Sequence, residues 1–206
     1  MINVVVVDDQ AMVRAGLVAL LSLEDDLDVV GQAASGQELL NLVDHLGARG
    51  IDINVVLMDI EMPGMDGLAA TEALTAAHPG IKVLIVTTFG RPGYFKKAVQ
   101  AGAKGFMVKD TPAAQLAAAL RTIAEGAPAF DPDLAVESLA LGDSPLTARQ
   151  TEVLRALAKG GDISEIAREI HLSEGTVRNH ISAILAKTGA KNRTDALRTA
   201  TNNGWL

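Results

Sequence analysis

Over the first 125 residues, short unbroken apolar runs alternate with segments whose hydrophobic positions recur every three or four residues. The runs at residues 4–7, 55–58, 84–86 and 106–108 are too short for helices, and the valine and isoleucine in them read as buried strands. Residues 10–21, 36–46, 68–77, 93–101 and 112–125 carry the helical period. Strand and helix in alternation predict an α/β domain, a doubly wound five-stranded parallel sheet of flavodoxin-like type. After residue 125 the strand-like runs cease. Residues 126–143 hold Pro128, Pro132 and Gly142 and read as a linker, in which Asp131 before Pro132 can cap one short helix.

Residues 144–206 predict a small all-α domain of four short helices. Thr147 with Gln150 and Asp162 with Glu165 have capping-box spacing, Gly160-Gly161 ends the first helix, and Ser173 and Asn192 are N-cap candidates for the last two. The expected domains are therefore 1–125 and 144–206, joined by 126–143.

Polar residues punctuate the strand ends. Asp8 and Asp9 follow the first run, Asp59 the second, Thr87 the third and Lys109 the fourth. A parallel sheet gathers the carboxyl ends of its strands along one edge, so three carboxylates, a hydroxyl and an amine are expected to converge. Taken singly, each has a plainer reading: Asp8 and Asp9 as turn residues, Thr87 as strand filler, Lys109 as a solvated charge. Together they can hold a magnesium ion and accept a phosphoryl group, because an aspartate becomes a useful nucleophile once the incoming phosphoryl charge is neutralised. Asp9 and Asp59 are expected as direct ligands, Asp8 through water, and Glu61 through its backbone carbonyl.

Composition narrows the setting. The 206 residues are 49% hydrophobic and contain no cysteine, which excludes disulfides and thiolate metal sites and fits a cytoplasmic protein. The run at residues 4–7 is too short to insert into a membrane. The net charge of −7 conceals an asymmetry. Residues 1–142 carry 9 Lys/Arg against 18 Asp/Glu, whereas residues 143–206 carry 9 against 7, so a nucleic-acid partner stays open for the second domain. No P-loop, dinucleotide fingerprint or zinc-spaced histidine pair appears, and the four histidines read as surface or packing residues.

VVVVDDQ, VVLMDIEMPGMDG, LIVTTFG and GFMVKD, in this order and spacing, resemble the receiver domain of bacterial response regulators. That resemblance implies phosphotransfer from a sensor histidine kinase to Asp59 and a shift of Thr87 toward the phosphoryl group. It also implies a coupled aromatic switch at Phe106, and a receiver that catalyses its own phosphorylation without being a turnover enzyme. SPLTARQTEVLRALAKGG, SEIAREIHLSEGTVRNHISAILAKTGAKNR and TDALRTA resemble the LuxR-type helix-turn-helix of the NarL/FixJ family. Residues 163–170 would support a recognition helix, residues 174–187, in the major groove of double-stranded DNA.

In that helix Val177, Ile181, Ile184 and Leu185 form the core stripe, while Arg178, Asn179 and Ser182 fall off it. Arg and Asn suit base edges, and Lys187, Lys191 and Arg193 suit phosphates, with Ser173 and Thr176 as further DNA contacts at the helix start. Two departures from the family pattern stand out: Gln150 where glutamate is usual, and Ser164 where lysine is common. TTFGRPGYFKKAV, DIEMPG, TVRN and Gly204-Trp205 further resemble members that respond to membrane fluidity and control a lipid desaturase. RNA polymerase is then an expected partner, as is a second copy of the chain on phosphorylation, since residues 10–21 and 112–125 carry more apolar positions than one buried stripe needs. The rival reading is a magnesium-dependent phosphoaspartate phosphatase with a protein-interaction bundle. It wants an aspartate two residues after the nucleophile, where this chain has Glu61.

Overall fold

The computed structural model describes residues 1–88, 90–140 and 144–206; Phe89 and residues 141–143, Gly142 of the expected linker among them, lie outside the described residues. The chain forms two compact units, one of Met1–Gly90 with Phe95–Ala135, the other of Val136–Leu206 with Arg91–Tyr94.

In the first unit the strands β1 (Ile2–Val7), β2 (Leu27–Ala33), β3 (Val55–Met58), β4 (Lys82–Thr87), β5 (Gly105–Val108) and β6 (Ala129–Phe130) pair in parallel in the order β2-β1-β3-β4-β5-β6. Helices α1 (Ala11–Leu21), α2 (Gly36–Ala48), α3 (Gly67–Ala77), α4 (Pro92–Gln100) and α5 (Ala113–Ala124) supply the crossovers. Val4, Val5, Val6 and Val7 are all within 1% of complete burial, as a strand covered on both faces requires, and each contributes about 1.5–3 kcal/mol of hydrophobic stabilisation. Helix starts are capped locally: Ser35 accepts from Glu38 N at 3.2 Å and Asp66 from Ala69 N at 2.8 Å.

The five expected strands form, and a sixth extends the sheet. Ala129–Phe130 joins the sheet from within the stretch read as a linker, and two residues are too few to carry a period-two pattern. Helix α6 (Pro132–Ala140) follows, with Asp131 Oδ1 accepting from Asp133 N at 2.8 Å.

The second unit contains α7 (Ala148–Ala158), α8 (Ile163–Glu169), α9 (Glu174–Thr188) and α10 (Arg193–Asn202). Both capping boxes form, Ser173 and Asn192 cap the last two helices, and Gly160 and Gly161 adopt positive φ. Val153, Leu154, Ile166, Val177, Ile181, Ile184, Ala196 and Ala200 close a separate core. No helix of the described residues is long and apolar enough to cross a membrane.

Candidate functional site

Strand register brings the polar strand ends together. Val7 stands beside Met58, Met58 beside Ile85, and Thr87 beside Val108, so Asp8, Asp9, Asp59, Thr87 and Lys109 lie along one edge of the sheet. Lys109 Nζ is 2.7 Å from Asp8 Oδ2 and 2.9 Å from Asp59 Oδ2, an ion pair shared between two almost wholly buried carboxylates. Asp8 Oδ1 accepts from Gln10 N and Asp59 Oδ1 from Ile60 N, both at 2.8 Å.

Burial pushes the Asp59 carboxyl above its ordinary pKa; Lys109 pulls the other way, and the charge of Asp8 adds to the rise. Burial also opposes the charge on Lys109, but its bonds to Asp8 and Asp59 outweigh that and hold its pKa above the ordinary value. Lys109 is thereby fixed as a cation between the two buried carboxyl groups.

Asp8, Asp9 and Asp59 each offer a carboxylate oxygen, all within 4.8 Å of one another. Asp9 Oδ1 is shielded from solvent and has no hydrogen-bond partner, a cost that a cation would remove. An all-oxygen donor set of this charge suits a hard divalent ion such as magnesium. Glu61 lies two residues beyond Asp59 with its side chain exposed, Thr87 is completely buried and accepts from Lys109 N at 2.8 Å through its carbonyl, and Phe106 is 1% exposed in β5.

Two further residues hold this site in shape. Arg14, one turn into α1, donates through Nη1 to the Asp8 carbonyl at 2.5 Å and so ties the helix to the acidic loop. Gly67, readable from sequence as a turn glycine, is in fact a close-approach position. A Cβ there would sit 1.8 Å from the Asp59 carbonyl oxygen. Gly64, by contrast, is a turn glycine with φ of 76° and open space around it.

In the second unit α9 buries Val177, Ile181 and Ile184 and exposes Arg178, Asn179 and Ser182 on its other side. Arg178 Nη2 meets Glu174 Oε2 at 2.9 Å, an exposed pair one turn apart. Ser173 accepts from Thr176 N at 3.1 Å, and the two hydroxyls are 2.8 Å apart, so both first serve to start the helix. Lys191 and Arg193 are exposed at the start of α10. Lys187, expected as a phosphate contact, is exposed on α9 and hydrogen-bonded within the unit. Its Nζ donates to the Pro145 carbonyl and to Gln150 Oε1, each at 2.9 Å, and so ties α9 to the start of α7.

The excess of apolar residues on α1 and α5 also resolves. On α5, Leu116, Ala117, Ala119, Leu120 and Ile123 are core, leaving mostly alanine outside. On α1 the outward apolar strip is real: Met12 is 88% exposed and Leu20 43%.

Residues 4–121 match the response regulator receiver domain, and residues 144–200 match the luxR family of bacterial regulatory proteins. The transcriptional regulatory protein DesR of Bacillus subtilis (strain 168) is 44% identical over 206 residues, covering all of both chains. Among solved structures, the response regulator ChrA of a heme-sensing two-component system is 35% identical, covers 100% of this chain and 98% of its own, and has a TM-score of 0.58. The response regulator RcsB in its DNA complex has a TM-score of 0.65 over 98% of each chain, at 24% identity, a likeness of fold alone.

Proposed function

Because this chain belongs to the two-component response regulators with a LuxR-type DNA-binding domain, and is DesR-like within them, we propose that Asp59 is its phosphoacceptor and that phosphorylation governs its binding to DNA. The observation that carries this reading is the buried Asp59 carboxylate held 2.9 Å from Lys109 beside two further carboxylates. The phosphoryl donor is a phosphohistidine of a sensor kinase. An Asp59 oxygen forms the new P–O bond as the P–N bond to the imidazole breaks.

Asp8, Asp9, Asp59 and the Glu61 carbonyl would hold magnesium, which when bound neutralises phosphoryl charge. Lys109 stays at the edge as the second positive charge, and the Thr87 hydroxyl donates to a phosphoryl oxygen once the group is in place. Burial of Asp59 excludes competing water until the donor docks. No observation favours the phosphatase alternative.

In the second unit Arg178, Asn179 and Ser182 read base edges, while Ser173, Thr176, Lys191 and Arg193 meet the backbone of double-stranded DNA. Phosphorylation promotes a homodimer, whose two binding domains gain affinity through effective concentration. A histidine kinase, DNA and RNA polymerase are the partners of this reading, and membrane-lipid desaturase genes its candidate targets. Incubation with acetyl phosphate and magnesium is expected to add one phosphoryl group by intact mass, and EDTA or Asp59→Asn to prevent it. Full phosphorylation of Asp59→Asn would place the acceptor elsewhere.

A further inference from the structure

Phe95, on α4, stands between two other rings. Its centroid is 5.7 Å from that of Phe106 on β5 and 5.3 Å from that of Phe130 on β6, both in edge-to-face geometry. Phe106 also pairs with Phe130 in the sheet, next to the Gly105 and Ala129 pair. The sixth strand therefore grips the receiver by one short ladder and one ring, and both holds end on the same residue of β5.

Gly105 makes the grip sterically feasible. A Cβ there would lie 2.9 Å from the Ala129 carbonyl oxygen and 2.6 Å from both Leu84 Cδ1 and Ile123 Cδ1. Any other residue pushes β6 outward. A cavity of about 350 Å³, lined by Phe106, Met107, Gln115, Phe130 and Leu134 among others, lies beside the rings and leaves them room to repack.

The other end of β5 is the phosphoacceptor edge. Lys109, directly after β5, bridges Asp8 and Asp59, and its N donates to Thr87 O at 2.8 Å. Phe106 is fully seated in the core beside Ile85, two residues before Thr87 on β4.

We infer that Phe130 and Phe95 are positioning residues through which the state of the Asp59 site sets how firmly β6 docks, and so how the chain leaving the receiver is held. This rests on Asp59 being the phosphoacceptor. A Thr87 side chain drawn to a phosphoryl oxygen leaves more space behind it, which favours the inward Phe106, the Phe95 ring against it and the docked Phe130. By linkage, whatever favours the docked ring also favours the phosphorylated arrangement. No new fold is needed, only a shift in the fraction of time β6 is docked.

Hydrogen exchange over residues 126–131 of the full chain, before and after acetyl phosphate with magnesium, tests this while intact mass reports phosphorylation independently. Phosphorylation is expected to slow exchange there about fivefold, the lower end of ordinary site-to-site coupling. Phe95→Leu is expected to take up the same phosphoryl group and lose that slowing. Phe130→Leu, at a partly exposed position with no risk to the core, is expected to do the same, and Gly105→Ala to leave exchange fast in both states. Stoichiometric phosphorylation with unchanged exchange in the wild type overturns the inference alone, as does a full response in both ring variants. Absence of phosphorylation in the wild type overturns the phosphoacceptor reading and this inference with it.

Discussion

Gly67→Ala tests whether the helix that follows the acceptor loop fixes the position of Asp59. The added Cβ would meet the Asp59 carbonyl oxygen at 1.8 Å and the Asp59 carbonyl carbon at 2.8 Å. An ordinary carbon–oxygen contact is about 3.3 Å, so the two backbones must part by about 1.5 Å. Neither partner is a flexible side chain. The separation also breaks the bond from Gly67 N to Ile60 O, 2.9 Å long and worth about 1 kcal/mol. Overpacking adds about 1–3 kcal/mol, so the variant is expected to lose about 3 kcal/mol in urea unfolding. A displacement of about 1 Å at a reacting group costs on the order of a hundredfold in rate. Phosphorylation by acetyl phosphate, followed by intact mass over time, is expected to slow by about that factor. Gly64→Ala is the control: the space is open and only its φ of 76° is strained, so it is expected to cost about 1–2 kcal/mol without slowing phosphorylation. Wild-type phosphorylation kinetics in Gly67→Ala would refute the reasoning, because the clash would then have been absorbed away from Asp59.

Lys187→Ala is expected to lower the melting temperature of the second unit and to weaken DNA binding without changing its log–log salt slope; a slope reduced by about 0.9 would restore Lys187 as a phosphate contact. Gln150→Glu replaces a neutral acceptor of that amine with a charged one and is expected to stabilise the unit by about 1 kcal/mol in thermal unfolding, a gain absent in the Lys187→Ala background. Arg178→Ala is expected to cost about 1–3 kcal/mol on a specific site and little on random DNA, and equal losses on both would make it a backbone contact. Met12→Glu and Leu20→Glu are expected to weaken the phosphorylated dimer about tenfold in sedimentation while leaving monomer unfolding unchanged, and an unaltered dimer would clear α1 of that role. Leu120, completely buried, offers no such test, since a charge there is expected to unfold the receiver.

The strand ends, helix caps and buried stripe of α9 were legible in sequence because each is written in a local pattern. Four apolar runs with polar residues after them suffice to align Asp8, Asp59, Thr87 and Lys109 once parallel pairing is assumed, and a capping box is three residues of local chemistry. What escaped is long-range. Gly67 looks like any glycine after a turn until the Asp59 carbonyl is placed against it. Lys187 reads from sequence only as an exposed basic residue of α9, and its hydrogen bonds to Pro145 and Gln150, some forty positions earlier, have no local signal.

The sixth strand is the sharpest case. Ala129 and Phe130 have no period to read, and what lets them pair is the absence of a side chain at Gly105 and the ring of Phe95, both distant in sequence. The regulator's two ends are thus specified differently. Its chemistry is spelled out in short motifs, whereas the connection that leaves the receiver depends on three aromatic rings and one glycine that sequence pattern alone treats as unremarkable core and loop residues. A substitution that swaps Phe95 for another apolar residue of similar size would leave every motif intact, and on this account would still disconnect the acceptor site from the strand that follows it.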